Sequence, residues 1–304
     1  RLSLVGSEMC IRDRPYHEWL FKSVDLEEEE GYFPLGDQYV DTKLKLLINT
    51  YQYLTKGIDR HPVKITTFVE APPGSGLGSS SALVVALISA IAEYYSIPLG
   101  EYDVAEYAVE IERNICNLPG GKQDQFAAAF GGFNFIEFLP DGRTIVNPLR
   151  LNPKTQNMLE LSTVLYYVGK PRMDERVIEN TSLNLLNNDE ATLQATHRIK
   201  SAAIEYKRSL LLGDVDKLCE TMNTYWKNKI QTNEKVVSPE LLDSYEFALQ
   251  NGAKAAKISG AGGGGHMILF TDFERRHQLI SALKKRKKGR VVPFKFVKHG
   301  VDVW

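Results

Sequence analysis

Cysteine is scarce in this 304-residue chain: Cys10, Cys116 and Cys219 are the only three. An odd number with no Cys-x-x-Cys spacing argues against a disulfide framework and against a cysteine zinc site. Free thiols suit a reducing compartment, so a cytoplasmic location is expected. Long apolar runs are also lacking. The longest candidate, 82–92, is interrupted by Ser89, whereas a membrane helix needs about 18 residues or more, so no membrane association is expected. Net charge is nearly absent. The 37 Lys and Arg against 38 Asp and Glu leave a formal charge of -1, which removes the global basic field that nucleic-acid binding relies on. The six histidines are scattered and form no metal-ligand spacing. Repeats and low-complexity tracts are missing as well.

What is present is ordinary globular composition, 43% hydrophobic and 25% charged, at a length that corresponds to about two domains. Residues 1–14 (RLSLVGSEMCIRDR) have neither a long apolar core nor a small-residue cleavage site. They are set aside as a non-native leader. Residues 15–60 read as strand-poor and helix-rich, with Glu27–Glu30 a solvated acidic run. VKITTFVE (63–70) is a β-branched strand. Residues 79–96 form a helix that is apolar on nearly every side and therefore buried. In 103–115 the positions Val104, Ala108, Ile111 and Ile115 mark one apolar helix face. GGFNFIEFL (131–139), an Asp141-Gly142 turn and 143–149 make a hairpin.

Composition shifts after about residue 151, which puts the domain boundary near 150–160, with domains of 15–155 and 156–304. A strand at 163–168 precedes long polar helices to Ile230, broken near 187–189 and at Gly213. Ser238-Pro239-Glu240-Leu241 is a helix start. Residues 254–258 and 266–270 flank a glycine run. A helix from Phe273 ends in basic residues, and two closing strands are expected at 291–297 and 301–304. Strands and helices mixed in both halves argue an α+β fold.

Two segments are rich in glycine. PPGSGLGSSSA (72–82) places three glycines between a strand and an apolar helix and three serines in that helix's first turn. Helix N-termini carry unsatisfied N–H groups and partial positive charge, so this is an anion site, and phosphate is the usual anion. It has no Gly-Lys-Ser/Thr ending and is not a Walker loop. The alternative is a tight turn with serine caps. KISGAGGGGHM (257–267) holds five glycines in six positions. Ordering that much glycine costs entropy. It therefore reads as a close backbone approach, either to a ligand or to the first glycine loop. His266 is taken as structural. Between them, PGGKQDQ (119–125) sets Asp124 at the start of a small-residue helix, either as an ionised acid or simply as a helix N-cap. Glu112, twelve residues earlier, reads by itself as surface.

These three segments, in this order, resemble the GHMP small-molecule kinases. PPGSGLGSSSA is similar to that family's second motif, the phosphate loop, and KISGAGGGGHMIL to its third. LPGGKQDQFAAAFGGFNFIEF, LYYVGKPR and VVPFKFVKHGVDVW resemble its heptose-phosphate branch. The resemblance covers roughly 50–304. It implies a two-domain α+β fold, an N-terminal domain like ribosomal protein S5 domain 2 and a ferredoxin-like C-terminal domain, with the active site between them. It also implies ATP and Mg²⁺, and transfer of the γ-phosphoryl group to the anomeric hydroxyl of D-glycero-D-manno-heptose 7-phosphate. The 1,7-bisphosphate so made would feed nucleotide-activated heptose for surface glycans. A homodimer is compatible with it.

On that resemblance, Pro73, Gly74, Ser75, Gly76, Leu77, Gly78, Ser79, Ser80 and Ser81, with Gly260, Gly262, Gly263 and Gly264, hold the nucleotide. Ser80 and Glu112 ligate the metal, and Asp124 orients or deprotonates the sugar hydroxyl. Lys122 or Arg172 meets the substrate phosphate. The family's first motif, an arginine-bearing strand with a glycine-rich turn, is missing from the residues given, so the chain reads as N-terminally truncated. Pro171 stands where a small hydroxyl residue is expected. A fucose or galactose kinase, a non-catalytic nucleotide or sugar sensor and a decarboxylase of the same fold are the alternatives.

Overall fold

The computed structural model describes residues 7–13, 18–32, 34–71, 75–169, 176–232, 237–260 and 264–303. In the N-terminal half, β1 (Ser7–Asp13), β2 (Trp19–Ser23), β3 (Glu28–Tyr32) and β4 (Val63–Val69) form one sheet in the order β1-β4-β2-β3. The helix α1 (Lys45–Leu54) connects β3 to β4. β4 pairs parallel with β2 and antiparallel with β1.

Two readings change here. The region 15–60 is not strand-poor, because Trp19, Leu20, Phe21 and Ser23 are buried in an inner strand. The acidic run belongs to β3, the edge of the sheet, where Lys22–Glu29 at 3.2 Å and Lys43–Glu28 pair the charges; charge on an edge strand discourages further strand addition. Residues 7–13 are not outside the fold. They pair along β4, and Met9 and Ile11, two residues apart on one face, pack on the core.

Helix α2 (Ser79–Tyr94) crosses this sheet and touches α1, β1 and β4. Its Leu83, Val84, Val85, Leu87, Ile88 and Ile91 are all buried, as a helix apolar on most sides must be. Helix α3 (Glu101–Val109) runs into a π-helical turn at Glu110–Ile115, and then comes α4 (Gln123–Phe130). Both helices and the π turn pack on α2. The hairpin β5 (Asn134–Phe138) and β6 (Thr144–Pro148) closes this half.

The C-terminal half runs α5 (Pro153–Ser162), β7 (Thr163–Gly169), α6 (Arg176–Leu186), α7 (Glu190–Leu212), α8 (Val215–Gln231) and α9 (Pro239–Gln250), then β8 (Ala253–Ile258), β9 (Gly265–Thr271), α10 (Phe273–Arg286) and β10 (Arg290–Val292). The breaks follow local chemistry. Asp189 caps the N–H of Thr192, Asp214 that of Lys217 and Ser238 that of Leu241. The sheet is antiparallel in the order β10-β7-β9-β8. Counted along the chain this is four-one-three-two, the ferredoxin-like arrangement.

Only one of the two closing strands forms, and it stops at Val292. Pro293 follows, and proline cannot donate to the ladder. Residues 293–303 instead run back to the N-terminal half. Phe296 meets Phe133 at 4.9 Å between ring centroids, Val301 joins the N-terminal core, and Gly300 lies against the Ala129 carbonyl while His299 lies against Gly131. Among the described residues no helix is long and apolar enough to cross a membrane, and all three cysteines are free thiols.

Candidate active site

The first glycine loop enters α2 through Gly78, in the left-handed conformation, with no side-chain hydrogen bond capping the helix. Gly78 holds the N-cap position itself, so Ser79, Ser80 and Ser81 lie inside the first turn, half-buried, exposed and buried in that order. The serine-cap alternative therefore does not hold, and the first N–H groups of a 16-residue helix remain available to an anion. Ser75 Oγ is buried and has no hydrogen-bond partner among the described residues.

The two glycine loops lie directly against each other. Ser259 Oγ donates to the Gly76 carbonyl at 2.8 Å. The Ser75 carbonyl accepts from the His266 N–H at 3.2 Å and from its Nδ1–H at 2.9 Å. Glycine is needed at this seam for two reasons at once. Gly76 and Gly265 have φ of 72° and 88°, which side chains rarely adopt. A Cβ on Gly76 would lie 2.6 Å from the Ser259 carbonyl oxygen, and one on Gly265 would lie 2.5 Å from that of Ser75. Of the two partners the glycine run could have approached, it meets the first loop. His266 is buried, tilted against Tyr167 at 4.9 Å, and holds its imidazole below the ordinary 6.5 because burial disfavours the cation. It is the structural clasp expected of it.

The carboxylates come from the α3–α4 segment. Glu112 is fully buried in the π-helical turn, not on the surface; such turns recur where a helix must present a side chain irregularly. Gln125 Nε2 donates to Glu112 Oε2, and Arg113 Nη2 stands 4.0 Å from the same oxygen. Glu112 Oε1 is buried with no partner among the described residues.

Asp124 is in the first turn of α4, with its Oδ1 buried. The N-cap position belongs to Lys122, which is exposed, so the N-cap reading of Asp124 does not hold. The loop ahead of α4 is fixed by a residue the sequence did not flag. Arg113 donates from Nε and Nη2 to the Gly121 carbonyl at 3.1 and 3.0 Å, and from Nη1 to that of Leu118 at 3.1 Å. Pro73, Gly74, Gly262, Gly263 and Arg172 lie outside the described residues.

A cavity of about 460 Å³ lies between the two halves. Leu77, Ser259 and Gly260 of the two glycine loops line it, as do Gln123 and Ala127 of α4, whereas Asp124 and Glu112 are not among its lining residues. Aromatic residues of both halves complete it, with Phe133, Phe135, Tyr206 and Tyr225 among them. Burial raises both phenols, which therefore stay protonated and able to donate.

The chain is similar to known proteins over most of its length. The GHMP kinases N terminal domain family matches residues 44–132 and the GHMP kinases C terminal family matches residues 206–289. A D-glycero-alpha-D-manno-heptose 7-phosphate kinase of Campylobacter jejuni subsp. jejuni is 42% identical over 87% of this chain and 78% of its own length. A galactokinase of Thermococcus kodakarensis is 27% identical over 92% and 83%. Among solved structures, a D-glycero-D-manno-heptose 1-phosphate kinase from Bacteroides thetaiotaomicron superposes with a TM-score of 0.80 at 32% identity, over 98% of this chain and 87% of that one.

Proposed function

The chain belongs to the GHMP kinase family, and on that footing we propose that it transfers the γ-phosphoryl group of ATP to the anomeric hydroxyl of a heptose phosphate, D-glycero-D-manno-heptose 7-phosphate. The observation that carries this reading is the junction of parts: two interlocked glycine loops on an uncapped helix N-terminus, and one cavity that runs from them to the first turn of α4.

Backbone N–H groups of the α2 N-terminus and of Gly76 and Gly78 hold the nucleotide phosphates, helped by the helix dipole. Ser75 Oγ, buried and unsatisfied, is an added donor toward them. Asp124 accepts the proton of the attacking hydroxyl, or holds that hydroxyl in line with the γ-phosphorus, and Arg113 keeps the loop before it in place. Magnesium fits the residues present. Its sites use one or two carboxylates together with substrate phosphates; Glu112 Oε1 is an orphaned buried acceptor, and Ser80 leads the helix that packs on the π turn. When bound, the ion neutralises charge on the transferring phosphate oxygens. Tyr206 and Tyr225 offer hydroxyl donors to the sugar.

Both heptose relatives carry names that specify a phosphorylated sugar, whereas the less similar galactokinase does not. The test is ADP release from the full chain with heptose 7-phosphate, galactose, fucose and mannose as acceptors. Heptose 7-phosphate is expected to be preferred, and Asp124→Asn to lower kcat by about 10²- to 10⁴-fold with little change in ATP KM. Turnover of the unphosphorylated sugars alone, or full activity of D124N, defeats the reading.

A further inference from the structure

Two dipeptides of the α3–α4 segment grip each other. Glu112 and Arg113 sit on the π-helical turn, and Asp124 and Gln125 in the first turn of α4. Arg113, the chain neighbour of Glu112, holds the Leu118 and Gly121 carbonyls ahead of α4. The Glu112 carbonyl accepts from the Leu118 N–H at 2.8 Å. Gln125, the chain neighbour of Asp124, reaches back and donates from Nε2 to Glu112 Oε2. Glu112 and Gln125 are both fully buried. Each nevertheless keeps one acceptor idle: Glu112 Oε1 and Gln125 Oε1 are buried with no hydrogen-bond partner among the described residues. A buried carboxylate kept for packing alone has its oxygens satisfied, because each orphan costs free energy. Two orphan acceptors on hydrogen-bonded partners suit a hard cation or the water it carries, and magnesium keeps several waters when bound.

We propose that Gln125 is a positioning residue for the metal carboxylate: its amide fixes Glu112 by Oε2 and reserves Oε1 for magnesium. This rests on the reading of Glu112 as a magnesium ligand and deepens it. The type of donor suits the task. A lysine or arginine at this position would pair with the carboxylate and compete with the ion for its charge. An amide supplies the hydrogen bond and carries no charge. Arg113 does not replace it. Its Nη2 stands 4.0 Å from Glu112 Oε2, beyond hydrogen-bond reach, and its Nε, Nη1 and Nη2 already donate to carbonyls. Partners of this kind orient metal ligands in general. Because Gln125 adjoins Asp124, the same tie also joins the two carboxylates into one unit.

The test uses the full chain and compares wild type with Gln125→Met, Glu112→Gln and the exchanged pair Glu112→Gln/Gln125→Glu. Mn²⁺, which takes the same oxygen ligands as Mg²⁺, is the probe. Its affinity for the enzyme–ADP complex is read by electron paramagnetic resonance. Metal-free ADP affinity is read by calorimetry, together with melting temperature and the Mg²⁺ dependence of kcat with heptose 7-phosphate. Q125M is expected to weaken Mn²⁺ binding by about 10- to 100-fold, with metal-free ADP affinity unchanged and kcat recovered at high Mg²⁺. Damage to the fold alone is not repaired by Mg²⁺. The exchanged pair rebuilds the hydrogen bond with the carboxylate on the other side. It should recover the melting temperature without recovering Mn²⁺ affinity, and it carries the test if Q125M does not fold. Wild-type Mn²⁺ affinity in Q125M or in the exchanged pair overturns the inference and leaves the kinase reading intact. Wild-type Mn²⁺ affinity in E112Q removes Glu112 from the metal site, and the inference falls with it. If wild type phosphorylates no sugar phosphate yet Q125M still loses Mn²⁺ affinity, the positioning role stands and the substrate reading falls.

Discussion

The two halves of this chain bury apolar surface in different ways. The N-terminal half has one continuous core, with Phe21, Ile48, Ile65, Leu87, Ile88 and Ile111 all fully inaccessible. The C-terminal half has two separate clusters, one around Trp226 and Leu279 and another around Leu159, Met222 and Phe270. The second of these is incomplete, since Leu159, Leu210, Met222 and Phe270 face the cavity. Glu112 and Asp124, to which the proposed chemistry assigns the carboxylate roles, ride elements packed on α2 and so on the closed core. The open packing lies instead at the cavity, where a ligand would supply the missing contacts.

Truncation of one core residue in each half tests this contrast most strongly. Leu87→Ala removes a fully enclosed side chain and is expected to cost about 2–5 kcal/mol of unfolding free energy. Leu210→Ala enlarges a space that already exists and is expected to cost about 1–2 kcal/mol, because fewer contacts are lost. Denaturant unfolding of both variants measures the difference, and equal losses would erase the distinction between the halves.

A smaller effect separates the seam between the halves from an ordinary turn. Gly265 and Gly142 share a nearly identical φ, 88° and 89°. A Cβ on Gly265 meets the Ser75 carbonyl oxygen at 2.5 Å, whereas one on Gly142 meets nothing within 4 Å. Gly142→Ala is expected to cost about 1 kcal/mol from backbone strain alone. Gly265→Ala adds the clash, about 2–3 kcal/mol in all, and raises ATP KM as the loops part. Matching stabilities and matching ATP KM values in the two variants would show that the seam bears no load.

The smallest effect is a pH dependence. The folded-state imidazole of His266 titrates below 6.5, its value when unfolded. The unfolded chain therefore takes up the proton first, and the clasp's contribution is complete above about 6.5 and declines as pH falls toward the folded value. A His266→Asn variant, which keeps a donor for the Ser75 carbonyl, should flatten that part of a stability-versus-pH curve; an unaltered curve would move its origin to another group.

The sequence was most informative where backbone chemistry is written in residue type. Glycines at 76, 260 and 265, the apolar positions of α2, the helix breaks near 187–189 and at Gly213, and the cap at Ser238 declare themselves locally. The meeting of the two glycine loops was foreseen as one of two options, because so much ordered glycine requires a close neighbour. Features that depend on distant packing stayed hidden. Glu112 read as surface because nothing local announces a π-helical turn, and Arg113 because its partners are carbonyls that any residue could supply. Strand β2 leaves a weak trace because it is short and holds the polar pair Lys22-Ser23, and the apolar pattern after Arg290 suggests a longer strand than Pro293 permits.

The tail after Val292 has a mechanical consequence. The polypeptide joins the two halves once between Pro148 and Pro153 and again where residues 296–301 settle beside Phe133, Ala129 and Gly131. With the hydrogen-bonded glycine seam, the halves are held together in several places along the chain, and Phe133 and Phe296, where the tail lands, stand in the wall of the same cavity. Shortening the tail would therefore strip a wall from the cavity as well as a brace from the fold.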